Sequence, residues 1–245
     1  MADPIVFLPG LLCNHLVFRP QTEILSPNYP TFVTDLTHHA SVADMARHVL
    51  VDAPASFTLV GMSMGGYVAL ELFRQAPSRI ERLVLMDTSA RADDDETRRR
   101  RRGLISLSRK GRFKGVTRQL LPRLIHPDRL TDVDLTETIM EMAAEIGREA
   151  YVRQQTAILQ RPDSRPTLAD IKCPTLVICG RQDLLTPFER SEEIAERIAN
   201  AELHIIDRAG HLTALEQPDK VNRLLLDWLR RTEIWPQPGA RYPDP

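Results

Sequence analysis

The chain has 245 residues, 42% of them hydrophobic, enough for one domain with a large core. Its 32 basic and 33 acidic side chains leave a formal net charge of -1, and with no interleaved aromatic platform this argues against a nucleic-acid-binding surface. No apolar run approaches the roughly 20 residues of a membrane span, and three cysteines make no disulfide framework, so a cytoplasmic setting is expected.

In chain order, the start at Met1 carries an acid, Asp3, where a signal peptide has basic residues, and no such peptide is expected. An apolar run at 5–8 reads as the first strand and leads into Pro9-Gly10-Leu11-Leu12-Cys13. A second strand is predicted at 31–34 and a helix at 41–52. Between them His38 and His39 follow Asp35. Adjacent histidines seldom point the same way, and no third ligand stands at a recognisable spacing, so no metal site is expected. A third strand at 57–62 runs into Gly61-Met62-Ser63-Met64-Gly65-Gly66 and a helix that stops at Ala76, before Pro77. A fourth strand at 81–87 ends on Asp87. From 92 to 166 the pattern is helical only, with length for about four helices. Strands then return at 174–179 and 203–207, followed by loops carrying Asp183 and His211. A last helix is predicted at 218–231, with Pro218 in its first turn, and 234–245 is too proline-rich to continue the fold and reads as a loosely held tail. Strands alternating with helices predict an α/β fold with a doubly wound, mostly parallel sheet.

The serine at 63 sits in a strand, sharp turn, helix context that would project its hydroxyl clear of a sheet. A serine hydroxyl is a poor nucleophile without a general base and an orienting acid. His211 and Asp183 supply both, each on a loop after a predicted strand. Asp183 is preferred as the acid because its Gly-x-x-Asp loop resembles that of the α/β-hydrolase-fold enzymes, some of which draw the acid from the position of Asp87, the alternative. Cys13 has no such turn around it and reads as a small loop residue.

These pieces, together with Phe7-Leu8-Pro9-Gly10-Leu11-Leu12, Leu85-Met86-Asp87, Cys179-Gly180-Arg181-Gln182-Asp183 and Ala209-Gly210-His211, resemble the α/β-hydrolase-fold serine hydrolases of the compact bacterial type. The resemblance covers about the whole chain, and the order Ser63, Asp183, His211 is the one that arrangement uses. It implies an oxyanion hole from the main-chain N–H groups of Met64 and Leu11; many relatives have His-Gly where this chain has Pro9-Gly10. It also implies a core made of 1–91 and 167–233, with 92–166 forming a helical cap over the active site. The expected activity is hydrolysis of a small carboxylic ester or lactone through an acyl-enzyme, with no metal or organic cofactor. The stretch His211-Leu212-Thr213-Ala214-Leu215-Glu216-Gln217-Pro218 looks like that of 3-oxoadipate enol-lactonases. Carbon–carbon bond hydrolases and ligand receptors with little turnover share the scaffold and stay open as alternatives, as does the oligomeric state.

Between Thr97 and Arg123 stand eleven basic residues, Arg98, Arg99, Arg100, Arg101 and Arg102 among them, and no acid. Five consecutive arginines cover more than one helical turn, so they cannot all face one pocket. A solvated helix face, partly neutralised by Asp93, Asp94, Asp95 and Glu96, is the expected reading. Steering of carboxylate-bearing substrates is the functional alternative.

Overall fold

The apolar runs form six strands: β1 (Ile5–Leu8), β2 (Thr31–Val33), β3 (Phe57–Met62), β4 (Ile80–Met86), β5 (Thr175–Gly180) and β6 (Ala201–Ile206). The structure is a computed structural model that describes residues 3–232, so the proline-rich 234–245 lies outside the described residues. The strands lie side by side in the order β2-β1-β3-β4-β5-β6, every neighbouring pair parallel. In β1, β3 and β5 every residue is buried. A parallel sheet covered on both faces requires such unbroken apolar runs. At the edge, β6 is only partly covered and begins at Ala201, two residues earlier than its apolar run suggests, because the polar Glu202 already pairs with Leu176.

Successive side chains point to opposite faces, which divides the core in two. On one face Phe7, Val60, Met62, Val84, Met86 and Ile178 pack with Leu225 and Trp228. On the other, Val6, Leu8, Leu59, Leu83, Leu85 and Val177 pack with Met45, Val68 and Leu72. The helices that supply these partners are α1 (Arg19–Leu25), α2 (Val42–Asp52) and α3 (Met64–Gln75) before the insertion. The insertion contains α4 (Asp95–Leu107), α5 (Val133–Gln160) and α6 (Arg165–Leu168), and α7 (Glu189–Arg197), α8 (Thr213–Glu216) and α9 (Pro218–Thr232) follow it.

From β1 the chain steps outward to β2, then returns past β1 to β3. The connections after β1 and β3 therefore diverge, and a crevice opens at the carboxyl ends of these two strands, where open α/β sheets bind ligands. The register, Leu8 opposite Gly61 and Met62 opposite Met86, brings the loop after β1, Ser63 and Asp87 to one edge.

In the insertion, Asp94 caps α4 by accepting from the Thr97 N–H at 2.7 Å, and Asp132 caps α5 by accepting from Leu135 N–H at 3.1 Å. A π-type turn at Ser108–Arg112 follows α4, and α5 is broken at Gly147, whose φ of 73° and ψ of 177° leave the helical region. Arg99, Arg100 and Arg102 are exposed. Arg101 departs from the solvated-face expectation. Its guanidinium lies 2.8 Å from Asp93, whose other oxygen is 2.8 Å from Arg161, and all three side chains are largely out of solvent. Arg161 in turn stacks on the Tyr67 ring of α3 at 4.1 Å, tying the insertion to the sheet's helical layer.

Candidate active site

At the end of β3 the backbone turns sharply: Ser63 has φ 52° and ψ -115°, a strained conformation for a residue with a β-carbon. It persists because its surroundings over-determine it. The Ser63 N–H donates to Met86 O at 2.9 Å, and the Ser63 carbonyl accepts from Gly66 N–H at 3.0 Å and the Thr88 hydroxyl at 2.8 Å. The turn also brings α3 against β1 so closely that a β-carbon on Gly65 would lie 1.9 Å from Leu8 O. Only glycine fits there.

The hydroxyl so presented meets a buried histidine. His211 Nε2 is 2.8 Å from Ser63 Oγ, and His211 Nδ1 is 2.7 Å from Asp183 Oδ2. Asp183 Oδ1 accepts from the Leu185 and Thr186 main-chain N–H groups at 2.8 and 3.0 Å, while the Thr186 hydroxyl donates to Oδ2 at 2.7 Å. Burial alone would raise the Asp183 pKa; the His211 charge and hydrogen bond, with those from Thr186, overcome it and hold the carboxyl below its ordinary range. For His211, burial disfavours the cation, but the charge and hydrogen bond of Asp183 outweigh it and raise the imidazole pKa. An imidazole held between a carboxylate and a hydroxyl in this way can take up the hydroxyl's proton.

Asp87, the alternative acid, makes no hydrogen bond to His211 among the described residues. Its Oδ1 accepts from Gly180 N–H at 3.0 Å and from the Thr213 hydroxyl at 2.6 Å, and its Oδ2 accepts from Thr213 N–H at 3.1 Å. It thus joins the end of β5 to the loop after His211. Burial, with the nearby Asp183 charge, pushes its carboxyl up to about 8. Glu216 grips the same loop: Oε1 accepts from Gly210 and Leu212 N–H at 2.9 and 3.2 Å, one on each side of His211, and Oε2 accepts from His126 N–H at 2.6 Å.

Two chain segments adjoin Ser63. Gly10 abuts the serine, since a β-carbon on it would lie 3.3 Å from Ser63 Cβ, and Leu11 follows it. Met64 opens α3 directly after the serine. Neither the Leu11 nor the Met64 N–H has a hydrogen-bond partner among the described residues. Cys13 is buried and its thiol pushed up to about 12, which makes it a poor nucleophile.

The remaining histidines stand apart. His38 Nε2 contacts Asp35 at 3.1 Å and its ring packs edge-on to His48, but among the described residues no group of three or more His, Cys, Asp or Glu side chains has the arrangement of a metal site. A cleft of about 480 Å³ lined by Arg102, Ile105, Arg109, Lys110, Thr156 and Leu159 involves neither Ser63 nor His211. No helix among the described residues is long and apolar enough to cross a membrane.

Sequence motifs pointed to Ser63, Asp183 and His211 but not to the supporting roles of Thr186, which bonds Asp183 three residues away, and Glu216, which joins His126 to the His211 loop. A turn signal, Thr186-Pro187, does mark the first, and Glu-x-Pro after the histidine marks the second.

The chain is similar to known proteins in sequence and fold. A sequence model described as the alpha/beta hydrolase family matches residues 5–224. RutD of Serratia proteamaculans (strain 568), provisionally named a carbamate hydrolase, is 32% identical, covering 95% of this chain and 93% of that protein. A 2-hydroxy-6-oxononadienedioate/2-hydroxy-6-oxononatrienedioate hydrolase of Burkholderia vietnamiensis (strain G4 / LMG 22486) is 31% identical over 71% of this chain but only 62% of its own length. Among solved structures, a thermophilic esterase from Thermogutta terrifontis with malate bound superposes with a TM-score of 0.84 at 28% identity, covering 95% of this chain and 91% of that one.

Proposed function

Because the chain belongs to the alpha/beta hydrolase family of enzymes, we propose that it cleaves a small carboxylic ester or lactone through a serine-bound acyl intermediate. The observation that carries this reading is the unbroken hydrogen-bonded chain from Asp183 through His211 to Ser63, beside two unpartnered main-chain donors. His211 Nε2 takes the Ser63 proton as Oγ attacks the carbonyl carbon, and the carbonyl oxygen, now negative, is received by the Leu11 and Met64 N–H groups. His211 then passes its proton to the leaving alkoxide, and the C–O bond breaks. A water gives its proton to His211 and attacks the acyl carbon, and collapse of that adduct returns the proton to Ser63 and frees the acid. Asp183 holds the imidazole with its proton on Nδ1 and stabilises the cation formed in each half. Nothing in this sequence of steps draws on a metal or organic cofactor.

In this reading 92–166 is the cap over the site, 3–91 and 167–232 are the core, and the setting is the cytoplasm, in keeping with three unpaired cysteines. Hydrolysis of a carbamate or of a 2-hydroxy-6-oxononadienedioate, for which the two relatives are named, and carbon–carbon bond hydrolysis on the same scaffold are the alternatives. The Burkholderia match leaves over a third of that protein outside the alignment, whereas the esterase structure superposes over 95% of this chain, which supports the ester or lactone reading. The test is a fluorophosphonate probe with peptide mapping, joined to a panel of short p-nitrophenyl esters, a lactone, a carbamate and a dienedioate. Labelling of Ser63, and ester or lactone turnover abolished by Ser63→Ala, is the expected result. Labelling elsewhere, or turnover surviving the substitution, refutes the assignment; no turnover on any class moves the chain to the receptor reading.

A further inference from the structure

The loop after β1 is held in a conformation it would not keep alone. Leu12 has φ 60°, in the left-handed region that disfavours a leucine. Two hydrogen bonds hold it: within the loop the Cys13 N–H donates to Gly10 O at 3.2 Å, and from the insertion, 142 positions away, Gln154 Oε1 accepts from the Leu12 N–H at 3.2 Å. Gln154 is fully buried in α5, and its Nε2 donates to Leu36 O at 3.4 Å, so each end of the amide has one partner. One helical turn earlier on the same face, Tyr151 packs against the buried Leu12 side chain, with Ala143 beside it. Helix α5 therefore grips both the amide and the side chain of Leu12. The Leu12 amide is thereby committed, while the adjacent Leu11 amide is left without a partner among the described residues.

We propose that Gln154 is a positioning residue for the oxyanion site: by fixing the Leu12 peptide it keeps the Leu11 N–H directed at the reacting oxygen, and so makes the rate at Ser63 depend on the seating of the helical insertion. This rests on the serine-hydrolase reading of the site.

The experiment compares the full chain with Gln154→Met, Gln154→Glu and Gln155→Met. Methionine matches the length and volume of glutamine but offers Leu12 no oxygen. Glutamic acid, kept neutral by burial, presents the same acceptor and donor as glutamine. Gln155 is a buried neighbour that hydrogen-bonds Arg101 and Tyr151 and not the loop, so its variant reports loosening of the insertion, including the Tyr151 packing, with the Gln154 amide intact. The readouts are the second-order rate of Ser63 labelling by a fluorophosphonate, whose phosphoryl oxygen needs the same donors, the separate kcat and KM on p-nitrophenyl acetate, and hydrogen exchange at the Leu12 amide.

Gln154→Met is expected to slow labelling and lower kcat by about 10- to 100-fold, short of the 10²–10³ for outright loss of one such donor. KM should change little and the Leu12 amide should exchange faster, with Gln154→Glu restoring both. Labelling by Gln154→Met within about twofold of wild type, or an equal loss in Gln155→Met, overturns the proposal. Should Gln154→Met not fold, Gln154→Asn, one methylene short of the loop, makes the same comparison. Failure of the wild-type chain to label at Ser63 would instead refute the hydrolase reading beneath it, which separates the two failures.

Discussion

Replacing Asp183 with asparagine keeps its size and removes its charge, and the structure dictates which way the amide must face. Asp183 Oδ1 accepts from two main-chain N–H groups, those of Leu185 and Thr186. These donors cannot reverse, so the amide oxygen of the variant takes their side and the NH2 group turns toward His211 Nδ1, 2.7 Å away in the wild type. The opposite orientation would leave two buried donors unsatisfied at about 1–3 kcal/mol each, so the forced one is favoured by about 2–6 kcal/mol. With an N–H pointing at it, Nδ1 must act as acceptor, and the imidazole proton moves to Nε2, which faces Ser63 Oγ at 2.8 Å. In that tautomer the imidazole cannot take the serine proton. Loss of kcat on the order of 10⁴ is expected from a trapped wrong tautomer, about 5 kcal/mol of barrier. The assay is steady-state hydrolysis of a p-nitrophenyl ester at neutral pH, with thermal unfolding as the check on folding. Asp87→Asn is the partner measurement, expected to lower kcat less than about tenfold, since the carboxyl there touches Gly180 and Thr213 and not the imidazole. A loss under about tenfold in Asp183→Asn, or a larger loss in Asp87→Asn with folding preserved, would refute the reasoning and move the acid to Asp87.

Four further outcomes are expected. Because the His211 pKa is raised above its ordinary 6.5 and only the neutral imidazole can act as base, the acid limb of kcat/KM should have its midpoint above pH 6.5; a midpoint below that value contradicts the Asp183 pairing. The matching stabilisation should be fully present below pH 6.5 and fade as pH rises through the folded value. Asp87 titrates near 8 in the fold against roughly 3.9 in an unfolded chain, so the folded form retains a proton the unfolded form has lost, and stability should fall as pH rises across that window. Asp87→Asn should lack this component, its deficit relative to wild type shrinking between pH 5 and 8 in thermal melts. Asp93→Ala should cost about 3–5 kcal/mol by stranding the Arg101 and Arg161 guanidiniums, whereas exposed Asp95→Ala should stay within about 0.5 kcal/mol. Lastly, glutamine at the exposed Arg99, Arg100 and Arg102 tests substrate steering without disturbing Arg101: on the solvated-face reading kcat/KM should hold for a carboxylate-bearing ester and its methyl ester alike, whereas steering would lower only the former, with added salt reproducing the effect. Equal losses on both esters would exclude steering.

The parts legible in the residues alone were those written in local pattern. Unbroken apolar runs predicted the strands nearly to their ends, and the Gly-x-Ser-x-Gly turn marked Ser63 because a short backbone crowded on every side admits little but glycine around it. Asp183 and His211 could be picked out by their places after strands, since a parallel sheet sends all such loops to one edge. The order β2-β1-β3-β4-β5-β6 was not legible, and with it the crevice between β1 and β3, because strand adjacency is a choice among pairings of equally apolar runs. The Gly-x-x-Asp loop already favoured Asp183 over Asp87, but the contact itself needed the fold: the path of the 181–186 loop carries Asp183 to Nδ1, while Asp87 is drawn to Gly180 and Thr213. Arg101 looked like its four arginine neighbours until Asp93 and Arg161 closed around it. Gln154 had no signal at all, for a buried amide in a long helix differs from an exposed one only through a strand-end loop 142 residues earlier. Tertiary structure decided these because each depends on a hydrogen bond whose two ends are brought together by packing of the whole sheet and its insertion, and no spacing along the chain encodes that distance.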